Sequence, residues 1–99
     1  MKSKPIVIVT GGSRGIGAAT AVLAAKRGYA VCVNYRRDEA AAVGVVELIK
    51  GLGGDAIAIQ ADISSESEVI QLFEKVDVQL GVVTALVNNA GILEQQSRV

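Results

Sequence analysis

Thr10-Gly11-Gly12-Ser13-Arg14-Gly15-Ile16-Gly17 is the stretch on which the fold of this chain turns. Ahead of it stands Pro5-Ile6-Val7-Ile8-Val9-Thr10, a β-branched run whose proline occupies the first position, where a missing N–H costs least. Behind it the pattern becomes helical: Ile16, Thr20, Leu23, Ala24 and Arg27 recur at three-to-four-residue spacing, and Gly28 supplies the stop. A glycine-rich string is weak evidence by itself. Between a buried strand and a helix, with a second strand to follow, it becomes strong. The first N–H groups of a helix have no partner inside it and carry a partial positive charge, so an anion is stabilised there. Glycine makes the tight turn and lets the main chain approach a pyrophosphate without a Cβ in the way. Gly11, Gly12, Ser13, Arg14, Gly15, Ile16 and Gly17 are therefore candidate phosphate-side ligands, with Gly17 also expected to let the helix pack close to the sheet. An ATP-type phosphate loop is excluded, because Gly17 is followed by Ala18 and not by lysine.

Working outward, Ala30 to Tyr35 reads as a second strand, and Asp38 as the N-cap of a second helix whose Val43, Val46, Leu48 and Ile49 lead to Gly51. Ala56-Ile57-Ala58-Ile59-Gln60 is a third strand ending at Ala61-Asp62. Ser65 with Glu68 fits a capping box that opens a third helix through Val69, Leu72, Phe73 and Val76. Ala85-Leu86-Val87-Asn88 is a fourth strand, and Asn89-Ala90-Gly91 turns the chain away. The order β-α-β-α-β-α-β implies parallel strands joined by right-handed crossovers, with helices on both faces. The expected fold is the N-terminal half of a Rossmann-type doubly wound α/β sheet with strand order 3-2-1-4. Its fourth strand would have one neighbour and an open apolar edge, an association hazard. Residues 1–99 thus read as one dinucleotide-binding domain, and as a fragment of a longer polypeptide.

Composition agrees with this architecture. The chain is 51% hydrophobic with one Phe, two Tyr and no Trp, an aliphatic pool suited to strands buried on both faces. Basic and acidic residues balance at ten each, so no net field recruits nucleic acid or an anionic membrane. Cys32, the single cysteine, sits inside the second strand and reads as a small buried hydrophobe. With no histidine and one cysteine, neither a zinc site nor a histidine-assisted hydrolase can be assembled. The apolar run after Met1-Lys2-Ser3-Lys4 is too short for a signal peptide, so a cytoplasmic protein is expected.

The end of the second strand bears on the cofactor. NAD-binding folds usually place an acid there for the adenine ribose hydroxyls. Here the end reads Asn34-Tyr35-Arg36-Arg37, with no carboxylate and two guanidinium groups. Arginine meets a phosphate with a rigid fork of donors, so these residues suit the 2′-phosphate of NADP, and Arg14 could converge on it. Two other readings stay open. The arginines fit a solvated pair held by Asp38 and Glu39, and Asp38 fits a ribose acid as well as a helix cap. NADP is favoured, with NAD open.

With these residues assembled, the chain resembles the N-terminal part of a classical short-chain dehydrogenase/reductase from about Pro5 to Gly91. The turn Thr10 to Gly17 matches that family's T-G-x-x-x-G-x-G, Asp62-Ile63 its adenine-contacting pair, and Asn88-Asn89-Ala90-Gly91 its N-N-A-G motif. The resemblance implies that Asp62 meets the adenine amino group, that Ile63 packs on the ring, and that Asn89, Ala90 and Gly91 line the ribose and pyrophosphate. Asp62 as a turn residue and Asn88 as a bridge fastening the fourth strand are the structural alternatives. Thr10 reads as a clasp for the turn. The family's chemistry uses a tyrosine acid/base, a lysine four residues later and a polarising serine. Tyr29 and Tyr35 are followed at that spacing by Val33 and Glu39, so no catalytic residue is assigned within this chain. The implied activity of the intact protein is hydride transfer between NADP(H) and a small carbonyl or alcohol substrate, in a homodimer or homotetramer. A non-catalytic dinucleotide-binding regulator is the alternative, and an adenosyl-cofactor methyltransferase a weaker one, since it calls for an acid after the second strand.

Overall fold

A computed structural model describes residues 4–13 and 15–88. Four strands, β1 (Ile6–Thr10), β2 (Ala30–Tyr35), β3 (Ala56–Gln60) and β4 (Ala85–Asn88), alternate with three helices, α1 (Gly15–Lys26), α2 (Glu39–Gly51) and α3 (Glu66–Gln79). Every pairing is parallel and the order is β3-β2-β1-β4. The fold is therefore the expected front half of a Rossmann-type sheet. The register runs Ile8 opposite Cys32 and Leu86, and Cys32 opposite Ile57. β1 is buried along its whole length and β2 as far as Asn34, which is why both read as unbroken β-branched runs.

Alternate residues feed two cores, as the two-residue period of a strand requires. Val7, Val9, Val31 and Val33 face α1 and α2, meeting Ala21, Ala42, Val45, Val46 and Ile49. Ile6, Ile8, Cys32 and Ile59 face α3, meeting Leu72 and Val76. Cys32 is fully buried in this second layer, as its surroundings in the sequence indicate. Thr84 ties the end of the sheet together. Its Oγ1 accepts from the Ile6 N–H and donates to the Ile6 carbonyl, both at 3.0 Å, just ahead of β4.

The helices exist where the pattern places them, but their inward faces differ from the expected ones. On α1 the row Ile16, Thr20, Leu23 is not the core face: Ile16 is 67% and Leu23 52% exposed, while Gly17 and Ala21 are buried. α1 is apolar nearly all round, so periodicity could not select a side. Its small residues permit the closest approach to the sheet, and that contact decides. On α2, Val46 and Ile49 point inward with Ala42 and Val45, whereas Val43 and Leu48 lie outside. On α3, Leu72 and Val76 are core and Phe73 sits at the rim.

Both anticipated N-caps are present. Asp38 Oδ1 accepts from the Ala41 N–H at 3.0 Å. Ser65 Oγ accepts from the Glu68 N–H at 3.4 Å. The return half of that second box is altered, since Glu68 Oε1 accepts from the Asp62 N–H at 2.8 Å instead of from Ser65. The Ser65 N–H is satisfied by the Asp62 carbonyl. The carboxylate that should close the helix end thus reaches three residues further back, to the end of β3. β4 has β1 as its one neighbour among the described residues, and Leu86 on it is 52% exposed.

Candidate functional site

Parallel strands deliver their C-terminal ends to one edge of the sheet. That edge collects the glycine turn after β1, the Arg36–Asp38 loop after β2, Asp62 after β3 and Asn88 at the end of β4. β2 and β4 flank β1 on opposite sides, so the chain leaves β1 in one direction and returns to it from the other. This is the topological switch point where open α/β sheets bind ligands.

The turn after β1 is shaped by backbone contacts that exclude side chains. Gly11 and Gly15 have φ of 64° and 57°, in the left-handed region. A Cβ at Gly12 would lie 2.9 Å from the Val9 carbonyl oxygen and 3.2 Å from a methyl of Val33. A Cβ at Gly17 would strike the Gly11 carbonyl oxygen, with the Gly11 carbonyl carbon at 2.8 Å and Gly12 Cα at 3.0 Å. Gly17 therefore lets α1 close onto the turn itself, and not simply onto the sheet as expected from sequence. At Gly15 a Cβ would meet nothing within 4 Å among the described residues. The arrangement fits a pyrophosphate: a helix N-terminus behind a turn in which Gly11, Gly12 and Gly15 leave the main chain bare. The Gly12 N–H is not part of that donor set, because it donates to the Asn34 carbonyl at 3.1 Å. Ser13 is half-buried and Ile16 exposed beside the turn. Arg14, Asn89, Ala90 and Gly91 lie outside the described residues.

Thr10 and Asn88 close the β1–β4 seam. Thr10 Oγ1 lies 3.2 Å from the Val87 carbonyl and 3.1 Å from Asn88 Oδ1, so Asn88 fastens β4 to β1 as its structural reading has it, while these contacts of Thr10 go to β4 and not to the glycine turn. Asn34 is 2% exposed, and its side-chain amide donates to the Ile59 and Ala61 carbonyls at 3.3 Å each. With its carbonyl on Gly12, Asn34 links the glycine turn to the end of β3. Tyr35 is half-buried at the end of β2, its hydroxyl pushed above the ordinary 10.0 by burial and then by the Glu39 carboxylate it bonds.

Beyond Tyr35 the two arginines are exposed. Arg36 pairs with Asp62, Nη2 to Oδ2 at 3.6 Å, and not with Asp38 or Glu39. The other carboxylate oxygen, Oδ1, accepts from the Ser64 hydroxyl at 2.6 Å and the Ser64 N–H at 3.0 Å. These bonds, the hydroxyl first, hold Asp62 below its ordinary 3.8, and the charges of Arg36 and Arg37 add to them. Asp62 is thus an ionised turn residue that also faces the arginine loop, with Ile63 half-buried next to it. Two participants escaped the sequence reading. Ser64 carried a signal, the Asp-x-Ser spacing of an Asx turn. Gln60 carried none: its Nε2 donates to the Arg36 carbonyl at 3.1 Å, a contact across 24 residues. Among the described residues no group of three or more metal-ligating side chains occurs, and no helix is long and apolar enough to cross a membrane.

Parallel order 3-2-1-4 with a glycine turn at the switch point defines the front half of a dinucleotide-binding fold of the Rossmann type. The chain belongs to the short-chain dehydrogenase family, whose model matches residues 5–99. It is 52% identical over 94 residues to the uncharacterized oxidoreductase YgfF of Escherichia coli, covering 95% of this chain and 38% of that protein. It is 46% identical over 92 residues to the 3-oxoacyl-acyl-carrier-protein reductase FabG of Staphylococcus aureus, covering 93% of this chain and 37% of that one. Among solved structures, a dehydrogenase/reductase from Sinorhizobium meliloti superposes with a TM-score of 0.84 at 39% identity, over 89% of this chain and 35% of the other. The chain therefore spans less than two fifths of the length of these relatives.

Proposed function

We propose that this chain is the cofactor-binding part of an NADP-dependent oxidoreductase that moves hydride between NADP(H) and a small carbonyl or alcohol substrate. The observation that carries the cofactor choice is the end of β2. Where a ribose-binding acid would stand, the chain has exposed Arg36 and Arg37, while the nearest acid in sequence, Asp38, caps α2. A 2′-phosphate offered to Arg36 meets a planar fork of donors. Its own negative charge would be repelled by a carboxylate at the same place, which is how the two cofactors are told apart.

In this reading each part of the edge has a separate task. Gly11, Gly12, Gly15 and Gly17 keep side chains out of the pyrophosphate path, and Ser13 and the first turn of α1 supply donors. Asp62 and Ile63 take the adenine, Asn34 and Tyr35 hold the strand end, and Arg36 with Arg37 takes the 2′-phosphate. Arg14, Asn89, Ala90 and Gly91 complete the ligand set by the family resemblance. The nicotinamide group supplies or accepts the hydride when bound. None of the assigned residues of this chain donates a proton to substrate, and no acid/base is assigned within it.

Titration of the protein with NADPH and NADH, followed by cofactor fluorescence, tests this reading. NADPH should bind more tightly by about 10- to 100-fold, the worth of charge-assisted hydrogen bonds of about 1.5–3 kcal/mol. Arg36→Gln should remove most of that difference. Equal affinities in the unaltered protein would refute the NADP assignment.

A further inference from the structure

The inference that follows rests on the NADP reading and goes one layer behind it. We infer that Gln60 is a positioning residue for Arg36, holding the arginine's backbone so that its guanidinium is presented to a phosphate monoester on the ribose. Arg36 lies one residue past the end of β2, and its side chain is 62% exposed. A long exposed side chain on a loop retains many rotamers, and freedom of the loop itself multiplies them. Restricting that freedom beforehand is what gives a phosphate contact its affinity.

Two residues at the end of β3 supply the restriction, and they grip different parts of Arg36. Gln60 is opposite Tyr35 in the parallel register, and the Ala61 N–H donates to the Tyr35 carbonyl at 3.0 Å. The backbone of Gln60 is therefore part of the sheet, and its side chain reaches one residue beyond the ladder to the Arg36 carbonyl at 3.1 Å. In effect the side-chain amide continues the β2–β3 ladder to the residue that leaves the strand. Asp62 then orients the guanidinium at 3.6 Å. Asp62 is itself anchored, its carboxylate by Ser64 and its N–H by Glu68. A guanidinium has five N–H donors, and one carboxylate oxygen on Nη2 leaves the rest of the fork for a phosphate.

Gln60 is exposed and belongs to neither core, so its replacement should leave the fold intact. The probes are 2′,5′-ADP, which carries the ribose phosphate, and 5′-AMP, which lacks it, with affinities measured by calorimetry on the full protein. Gln60→Leu should weaken 2′,5′-ADP about 2- to 12-fold, the range of one hydrogen bond, and leave 5′-AMP unchanged. In an Arg36→Gln background the same replacement should change neither affinity, since the group it positions is gone. A merely structural role would weaken both ligands and persist in that background. Loss of affinity for both probes, or no change for 2′,5′-ADP, overturns the role of Gln60 while leaving the NADP reading in place. If the unaltered protein does not prefer 2′,5′-ADP over 5′-AMP, the NADP reading fails and the inference falls with it.

Discussion

Replacing Gly17 with alanine adds one methyl group at the point where α1 meets the turn after β1. Built on the present backbone, that methyl strikes the Gly11 carbonyl oxygen and lies 2.8 Å from the Gly11 carbonyl carbon and 3.0 Å from Gly12 Cα. Ordinary carbon contacts begin near 3.5 Å. All three obstacles are backbone, so no rotamer change relieves them, and the turn or the first turn of α1 must shift by about 1 Å. Overpacking of this kind costs about 1–3 kcal/mol, occasionally more, against a gain of about 1 kcal/mol for alanine over glycine in a helix. The net expectation is a loss of up to about 2 kcal/mol. Gly44, in α2, separates the two effects, because a Cβ there meets nothing within 4 Å. Gly44→Ala should therefore stabilise the protein by about 0.5–1 kcal/mol. Urea unfolding followed by circular dichroism reads both variants in one experiment. A Gly17→Ala protein as stable as Gly44→Ala would refute the close approach of α1 to the turn. The displaced turn should also bind NADPH more weakly, a loss that Gly44→Ala does not share.

Two further outcomes follow from buried groups. Asn34→Leu removes the amide that serves the Ile59 and Ala61 carbonyls and leaves these acceptors facing an apolar group. A loss of about 1–3 kcal/mol is expected from the denaturant midpoint, and an unchanged midpoint would show that the amide is not the link between β2 and β3. Cys32 is pushed from 9.0 to about 12 by burial. Its thiolate forms in the unfolded chain above about pH 9 and in the folded one only near 12. The stability it contributes is thus complete below pH 9 and is lost as pH rises from 9 through 12. The three-unit gap corresponds to about 4 kcal/mol. Stability curves of the unaltered protein and Cys32→Ala, measured from pH 8 to 12, should converge with rising pH; parallel curves would contradict the burial.

Much of the fold is legible because its signals are local. β-branched runs, the glycine turn and the Asp38 and Ser65 caps act within a few residues, so the order of elements and their parallel arrangement follow from reading along the chain. The placement of Gly11, Gly12 and Asp62 at one edge is legible for the same reason: they come just after strands, and parallel strands bring those ends together. The inward faces of the helices are less accessible. Ile16 and Leu23 are the larger apolar residues of α1, yet Gly17 and Ala21 are buried, because distance to the backbone of the turn and sheet outranks hydrophobic size there.

Residue order along the chain already gives the chemistry available at this edge: a glycine-rich helix start, no acid at the end of β2, two arginines after it and an acid after β3. The coupling of those groups emerges only in three dimensions. Arg36 and Asp62 are 26 residues apart and meet at 3.6 Å, and Gln60 reaches the Arg36 carbonyl only because β3 lies beside β2. The Asn34 backbone carbonyl accepts the Gly12 N–H while its side-chain amide holds the end of β3, so one buried residue ties together two loops. Hydrogen bonds and ion pairs depend on separations of a few ångströms in space. The chain encodes such separations only through the register of its strands, and so these contacts become visible once the sheet is assembled.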